Sequence, residues 1–126
     1  MLQNESILSV VDNSGAKKIL VIRCLGGSNR RYSRIGDLVI ATVKKAEANK
    51  FTKKEEKVVM ALIVATRRYF RRQNNTWIKF SKNCAILVEK KDKKIKPRGN
   101  RIFVPLLAEF SQWGYENLFK LKPEIL

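Results

Sequence analysis

Residues 58–65 read VVMALIVA, an almost unbroken apolar run in the middle of the chain. A run of this length with several β-branched residues predicts a central strand that is buried on both faces. It is far shorter than the roughly 20 apolar residues that a helix needs to cross a bilayer, so no transmembrane segment is expected. Because other short apolar runs flank Val58–Ala65, the protein is predicted to be mainly β.

The flanking apolar runs predict four more strands. Polar, charged or glycine residues follow each run and favour a turn or a loop, as Asp12-Asn13-Ser14-Gly15 does after the first. A β-ribbon is predicted over Arg71–Phe80 with its turn at Asn74-Asn75, because asparagine tolerates the left-handed backbone of a tight hairpin. The predicted strands are Ser6–Val11, Ile19–Leu25, Leu38–Val43 and Ala85–Val88.

Helix-like spacing of apolar residues begins after Pro105. This proline suits a first helical turn, Gly114 suits a break between two short helices, and Pro123 suits the end of the second. The chain is therefore predicted to be a single domain, with a small β-barrel over about residues 1–103, its ribbon over about 67–80, and a helical appendage over about 104–126. The residues expected to cap the barrel are Leu106, Leu107, Phe110, Trp113, Leu118, Phe119 and Leu121.

The charge of the chain is strongly positive, with 27 lysines and arginines against 11 acids and a formal net charge of +16. Solubility of a small domain needs a net charge of only about 2–8, so the excess indicates a polyanionic partner, of which RNA is the leading candidate. Lysines of residues 50–57 are expected to add diffuse attraction. Ordered phosphate contacts are expected from Arg30, Arg31, Arg34, Arg67, Arg68, Arg71 and Arg72.

Two side-chain roles stay open at this stage. Tyr32 lies between Arg31 and Arg34, where its ring could stack on a base or sugar or pack on the barrel. The ribbon is either a solvent-exposed hairpin or an arm that reaches a partner, and its arginines with Tyr69, Phe70 and Trp77 favour the arm. The aromatic residues outside these segments are predicted to lie in the core.

Catalysis and metal binding are not expected. Histidine is absent, the acids form no evident pair, and no phosphate-binding loop or nucleophile motif occurs. Cys24 and Cys84 are predicted to be buried free thiols, which favours a reducing compartment. The N-terminal residues carry neither a secretory nor a transit pattern, so the protein is expected to work where it is made or to have lost a targeting segment.

Six stretches, in order and with matching spacing, resemble the universal large-subunit ribosomal protein fourteen family. They are Asp12–Ala16 (DNSGA), Leu25–Tyr32 with Ile35–Asp37 (LGGSNRRY and IGD), Ala61–Val64 (ALIV), Phe80–Ala85 (FSKNCA), Gly99–Phe103 (GNRIF) and Pro123–Leu126 (PEIL). The resemblance covers essentially the whole chain. One departure is the ribbon turn, which usually reads Asp-Gly or Asn-Gly in the family and here reads Asn74-Asn75.

The resemblance implies a small closed five-stranded β-barrel with a projecting β-ribbon and short C-terminal helices. It implies a structural constituent of the large ribosomal subunit, without enzymatic activity or a cofactor. Such a protein binds large-subunit rRNA, contacts a neighbouring large-subunit protein and helps to form an intersubunit bridge with small-subunit rRNA. In bacterial and mitochondrial relatives a ribosome silencing factor docks near the segment that matches Gly99–Phe103, which makes such a factor a candidate partner.

The family pattern and the charge clusters together give the predicted site residues. The predicted bridge or protein-partner contacts are Lys96, Arg98, Asn100 and Arg101. The predicted rRNA-binding residues are Ser28, Asn29, Arg30, Arg31, Tyr32, Arg34, Lys44, Lys45, Lys53, Lys54, Arg67, Arg68, Arg71, Arg72 and Lys79.

Composition also bears on location, because the chain is rich in lysine, asparagine and isoleucine, as are proteins encoded by A+T-rich organelle genomes. A ribosome of the mitochondrial matrix is therefore predicted, with a bacterial or plastid ribosome as the alternative. The main rival function is a free-standing RNA-binding barrel such as an RNA chaperone, which usually carries aromatic residues along its strands. A membrane-surface protein is less favoured, since the C-terminal helices are only weakly basic.

Overall fold

The computed structural model describes residues 2–3, 5–26, 31–48, 50, 57–91, 94–121 and 124–126. Within them the chain forms eight strands, one short α-helix and one 3-10 helix. The helix α1 is Glu109–Gln112, and the 3-10 helix is Glu116–Leu121. The strands are β1 Ile7–Val10, β2 Ala16–Cys24, β3 Leu38–Ala46, β4 Val58–Ala65, β5 Phe70–Arg71, β6 Trp77–Ile78, β7 Cys84–Lys91 and β8 Lys94–Pro97.

Five of these strands close into a barrel. Antiparallel pairing links β1, β2, β3, β4 and β7 in that order. The ring closes because β1 also pairs in parallel with β7, where Ser9 lies opposite Cys84 and Val10 opposite Ala85. The predicted closed five-stranded barrel is thus confirmed, and closure removes the unpaired edges that an open sheet would expose.

The run at residues 58–65 is the strand β4, with the predicted bounds, and it lies between β3 and β7. Residues alternate between the two faces of a strand, so an unbroken apolar run means that both faces are covered. Ala61 and Ile63 belong to the cluster that includes the inward-facing residues of β1, β2 and β3. Leu62 and Val64 belong to a second cluster, formed with Leu106, Leu107, Phe110 and Leu118 of the C-terminal segment.

The C-terminal segment caps the barrel as predicted, but its helix begins later than expected. Pro105 does not enter a helical turn, because the backbone of Leu106 pairs with the end of the chain. Leu106 N donates to Glu124 O at 2.8 Å, and Leu126 N donates to Leu106 O at 2.8 Å. The predicted break at Gly114 is confirmed, since its φ of 89° is one that glycine adopts readily. The predicted stop at Pro123 lies outside the described residues.

The basic segment that follows Val88 forms a hairpin that the sequence did not predict. The strand β7 continues to Lys91, and β8 pairs with it antiparallel, with Glu89 opposite Lys96 and Lys90 opposite Ile95. The prediction that the strand ends at Val88 is therefore wrong. Lysine is depleted in strands, so the segment gave no apolar alternation from which its pairing could be inferred.

The ribbon is confirmed as a two-stranded antiparallel hairpin of β5 and β6. Phe70 lies opposite Ile78, and Arg71 lies opposite Trp77. Its turn places Asn75 in the left-handed region with φ of 63°, as expected for an Asn-Asn turn. Cys24 and Cys84 are buried free thiols, also as predicted.

Candidate nucleic-acid interface

Two adjoining hollows lie between the ribbon, the loop of residues 31–37 and the C-terminal segment. The first has a volume of about 570 Å³ and the second about 300 Å³. They share Arg34, Ile35 and Phe70, so together they form one surface, which we call the arginine groove. The first hollow is also lined by Arg31, Tyr32, Gly36, Asp37 and Trp113, and the second by Thr66, Arg68, Tyr69, Arg71 and Trp77.

The loop that forms one wall of the groove is tied to β4. Gly36 N donates to Ile63 O at 2.8 Å, and Ile63 N donates to Asp37 O at 3.0 Å. The Asp37 carboxylate accepts a hydrogen bond from Arg34 N at 2.7 Å, which closes the turn. Gly36 has a φ of 92°, and a Cβ there would lie 2.7 Å from the Trp113 ring. The glycine thus permits both the turn and the close approach of Trp113.

Aromatic rings line both hollows. Phe70 meets Trp113 edge to face with 5.8 Å between ring centroids, and Tyr69 meets Trp77 in the same way at 6.4 Å. Tyr69 and Trp77 are nevertheless 59% and 61% exposed, and Tyr32 is 48% exposed. Rings with this exposure beside cations provide faces on which a base can stack.

Charge in the groove is almost all of one sign. Among the described residues that line it, Arg31, Arg34, Arg68 and Arg71 are cationic and Asp37 is the one acid. The Arg71 guanidinium lies 6.0 Å from the centroid of the Trp77 ring, and its Nη2 donates to Asn75 Oδ1 at 2.9 Å. The Lys79 ammonium lies 4.9 Å from the centroid of the Tyr69 ring. The groove therefore combines phosphate-binding groups with stacking faces.

Arg72 is placed differently from its neighbour Arg71. Its Nε and Nη2 donate to Glu109 Oε1 at 3.0 and 2.8 Å, and Nη2 also donates to Leu126 O at 3.0 Å. The two side chains of this ion pair are only 22% and 16% exposed. The Arg72 guanidinium thus ties the ribbon to α1 and to the end of the chain, an arrangement that we call the Arg72 clamp.

The other predicted rRNA-binding residues lie away from the groove or outside the described part of the chain. Arg67 is exposed beside the ribbon, where its backbone N–H donates to Asn83 Oδ1 at 2.8 Å. Lys44 and Lys45 are exposed near the end of β3. The predicted contacts that lie outside the described residues are Ser28, Asn29, Arg30, Lys53 and Lys54.

Three of the predicted bridge residues, Arg98, Asn100 and Arg101, sit on a loop that the Asp12-Asn13 turn holds, and the fourth, Lys96, lies in β8. Asn13 Oδ1 accepts hydrogen bonds from Asn100 N at 2.7 Å and from Arg101 N at 3.1 Å. Gly99 is buried against this turn, and a Cβ there would lie 2.7 Å from Asn13 Oδ1. We call residues 98–101 the latch loop; it leaves the side chains of Arg98, Asn100 and Arg101 exposed.

A buried carboxylate anchors the same turn to the barrel. Asp12 Oδ2 accepts a hydrogen bond from Leu87 N at 3.0 Å, and its Oδ1 accepts from Ser14 N and Ser14 Oγ at 3.1 and 2.6 Å. Asp12 is only 7% exposed. The sequence indicated a turn here, but the partners of its side chains beyond the turn itself are 75 to 88 residues away and gave no local sign.

Burial affects two titratable groups near the site. Burial raises the pKa of the Cys84 thiol, against the smaller opposing effect of Lys82. Burial, with the nearby Asp37 carboxylate, also raises the pKa of Tyr115, whose hydroxyl donates to Gly36 O at 3.4 Å. Both groups are therefore neutral at physiological pH, and neither reduces the positive potential of the groove.

Aromatic exposure differs from the sequence prediction at two positions. Phe103 and Trp113 were expected in the core, but they are 61% and 39% exposed. Phe103 N donates to Val11 O, which fixes its backbone at the barrel surface, and Trp113 lies over Gly36 at the rim of the groove. Phe110, by contrast, is completely buried as expected.

Other kinds of site are not found in the described part of the chain. It contains no group of three or more cysteine or carboxylate side chains that could hold a metal ion. None of its helices is long and apolar enough to cross a membrane.

A small closed barrel with an arginine-rich, aromatic-lined groove has the features of an RNA-binding protein. All of residues 1–126 match the family model of ribosomal protein L14p/L23e, and the chain belongs to this family. The resemblance found in the sequence is thereby confirmed. Membership makes the protein a structural, non-enzymatic component of the large ribosomal subunit that serves translation, and it implies ribosomal RNA and ribosomal proteins as partners.

Proposed function

We propose that the protein binds large-subunit rRNA through the arginine groove and the ribbon, and that the latch loop contributes to a bridge with small-subunit rRNA. The groove carries the first part of this proposal. Four arginines against one carboxylate, among its described lining residues, make a strongly positive concave surface. Such a surface attracts a phosphate backbone and gains from the release of its counterions.

The individual arginines differ in what they offer to RNA. Arg68 and Arg71 are exposed around the second hollow, where their guanidinium groups are available for bidentate phosphate contacts. Arg67 extends this cationic edge. Arg72 serves the interface indirectly, because the Arg72 clamp fixes the ribbon that carries Arg71. The exposed Lys44, Lys45 and Lys79 add electrostatic attraction.

The bridge proposal rests on how the latch loop is held. Because Asn13 binds two of its backbone N–H groups, the exposed Arg98 and Arg101 project from a fixed backbone. Lys96, at the end of β8, is partly exposed beside them and adds a third cation. A rigid cationic loop suits a contact that must form each time two ribosomal subunits meet, since little freedom is lost on binding.

A protein partner is also proposed at this end of the barrel. Phe103 is highly exposed and follows the basic residues of the latch loop. A mixed apolar and basic patch suits a ribosome silencing factor that would cover the bridge residues and so block subunit joining. The test is binding of such a factor by the wild-type chain and by Phe103→Ala; equal affinities would contradict the proposed contact.

The compartment that we propose is the mitochondrial matrix, on the basis of the lysine-, asparagine- and isoleucine-rich composition. A gene in the mitochondrial genome would agree with this proposal. A nuclear gene without an upstream presequence, or a bacterial or plastid gene, would contradict it.

The experiment for rRNA binding compares two charge-matched double variants over a range of salt concentrations. Arg68→Ala with Arg71→Ala should weaken binding to large-subunit rRNA and reduce the slope of log K against log salt by up to about 1 per lost phosphate contact. The control is Lys17→Ala with Arg23→Ala, which removes the same charge from exposed positions of β2. Equal slopes for the two double variants would contradict a groove-centred interface.

A further inference from the structure

We propose that the arginine groove holds two consecutive unstacked nucleotides of a single-stranded RNA segment, with one base in each hollow and the linking phosphate at Arg34. This inference rests on the proposed rRNA binding and deepens it by naming what the groove accepts. Three features carry it: the exposed aromatic rings, the division of the groove into two hollows, and the position of the arginine that the hollows share.

The exposed rings favour single-stranded RNA over a duplex. In an A-form helix the bases are stacked on one another, and a protein meets mainly phosphates and 2′-hydroxyl groups. A site for phosphates alone would need arginines but no exposed ring faces. The groove instead exposes more than half of Tyr69 and Trp77, and nearly half of Tyr32. Unstacked bases are the part of RNA that such faces bind.

The division of the groove indicates two bases. Each hollow has its own tryptophan, Trp113 in the first and Trp77 in the second, while Ile35 and Phe70 line both and so lie where the two hollows meet. The volumes of about 570 and 300 Å³ lie within the range of small-ligand sites, and both hollows are open to solvent. Consecutive bases that are splayed apart would enter the two hollows from the same strand.

Arg34 lies where the connecting phosphate would be. It is the one cation, among the described residues, that lines both hollows. Its backbone is fixed by the Asp37 carboxylate, and its side chain is exposed. A phosphodiester that joins a base in the first hollow to a base in the second would meet the Arg34 guanidinium. Arg31 lines only the first hollow and Arg68 only the second.

The stacking faces are already in position without RNA. Trp113 is held by edge contacts with Phe70 and Phe110, at 5.8 and 5.2 Å, and by its approach to Gly36. Trp77 is held between Tyr69 and the Arg71 guanidinium. Rings that are ordered in advance lose little freedom when a base binds, which favours affinity.

The two tryptophans also provide the test, because the chain has no others. Trp77→Phe leaves Trp113 as the only fluorescent indole, and Trp113→Phe leaves Trp77. The full-length variants are titrated with single-stranded oligouridylate and oligoadenylate, and with a blunt RNA duplex that has the same number of phosphates. The single strands should quench both tryptophans at the same RNA concentration. The duplex should bind through its phosphates without quenching either one.

Affinity and salt dependence separate stacking from charge. Trp77→Ala should weaken binding of the single strands by roughly 5- to 140-fold, the range for loss of one stacked base, and leave the salt slope unchanged. Arg34→Gln should reduce that slope by about 1. Ile22→Ala, which removes an exposed apolar side chain of β2 outside the groove, should change neither quantity.

The outcomes distinguish this inference from the proposed function. Equal binding of duplex and single strand with no tryptophan response would overturn the two-nucleotide groove but leave rRNA binding intact. A response from one tryptophan alone would also overturn it, since both hollows must fill. If neither RNA binds to the folded chain, the proposed rRNA binding fails, and this inference fails with it.

Discussion

The latch loop and the ribbon both present arginines, and both depend on asparagine or aspartate side chains, but they are held in different ways. The latch loop is held by the turn at residues 12–13, where Asn13 accepts from backbone N–H groups 87 and 88 residues away and Asp12 accepts from that of Leu87, 75 residues away. In the ribbon turn, the side chains of Asn74 and Asn75 bind partners two and four residues away. The same residue types therefore give one loop that is fixed by the barrel and one that is shaped by its own turn.

This difference has consequences for stability. A loop fixed by long-range hydrogen bonds opens only when part of the barrel opens, whereas a two-stranded ribbon is marginal alone and frays locally. The ribbon is tied to the rest of the protein by the Arg72 clamp, by the contact of Phe70 with Trp113 and by packing of Ile78 against the buried cluster. Changes in the contacts that hold the latch loop should therefore alter the global stability of the protein, and changes in the ribbon turn should alter only the local stability of the ribbon.

Loss of the buried Asp12 carboxylate, which anchors the turn that holds the latch loop, should have the largest effect on stability. Asp12→Ala would leave the buried N–H of Leu87 without its acceptor, so we expect the free energy of unfolding to fall by about 2–4 kcal/mol, measured by urea denaturation. Ser14→Ala, which removes one hydroxyl donor to the same carboxylate, should cost less than about 1 kcal/mol. Equal losses for the two variants would contradict the anchoring role of Asp12.

The next largest loss of stability should follow from removal of the Arg72 clamp, which joins the ribbon to α1. Arg72→Ala would leave the mostly buried Glu109 carboxylate without its cation. We therefore expect the free energy of unfolding to fall by about 1–3 kcal/mol. The adjacent Arg71→Ala is the matched control and should change stability by no more than about 0.5 kcal/mol. When only folded protein is compared, Arg71→Ala should weaken RNA binding more than Arg72→Ala does. A larger stability loss for Arg71→Ala would contradict these assignments.

A smaller loss of stability is expected when Asn13, which binds the latch loop, is replaced. Asn13→Ala removes the acceptor for Asn100 N and Arg101 N at an exposed site, so we expect a loss of about 1 kcal/mol. Amide hydrogen exchange should accelerate at these two residues before it changes in β7. Asn13→Asp keeps an acceptor oxygen and should preserve their protection. Unchanged exchange in Asn13→Ala would show that the loop is held by other contacts.

The smallest effect should come from a glycine substitution in the ribbon turn. Asn75 has a φ of 63°, where glycine is less strained. Asn75→Gly should therefore raise the free energy of local opening of the ribbon by about 0.5 kcal/mol. Asn75→Ala should lower it by about 1 kcal/mol, because a Cβ without a local polar partner disfavours the left-handed region. Exchange of the ribbon amides is the measurement; an equal response to both substitutions would contradict the turn assignment.

Local sequence was sufficient for the apolar strands of the barrel and for the ribbon turn, but not for the lysine-rich β8. Val58–Ala65 has its predicted bounds because a run covered on both faces needs no long-range information. The Asn74-Asn75 turn likewise follows from the backbone preference of asparagine. The parallel pairing of β1 with β7 joins residues 75 positions apart, so the strand pattern predicted a barrel without identifying the pair of strands that closes it.

Sequence alone could not assign roles within the charge clusters. Arg71 and Arg72 are adjacent and chemically identical, yet Arg71, the last residue of β5, lines the groove, and Arg72, just after that strand, binds Glu109. Trp113 also read as a core residue from its spacing, and its place at the groove depends on Gly36, which lies 77 positions earlier. Such roles depend on tertiary contacts that no local pattern encodes.

The central claim is that this chain is an integral part of the large ribosomal subunit, held there by rRNA contacts. Sucrose-gradient sedimentation of a native extract at moderate and high salt, with detection of this chain, tests it most directly. We expect co-migration with the large subunit and the monosome that persists at high salt. Migration at the top of the gradient, or release at moderate salt, would contradict the claim and favour a free RNA-binding protein.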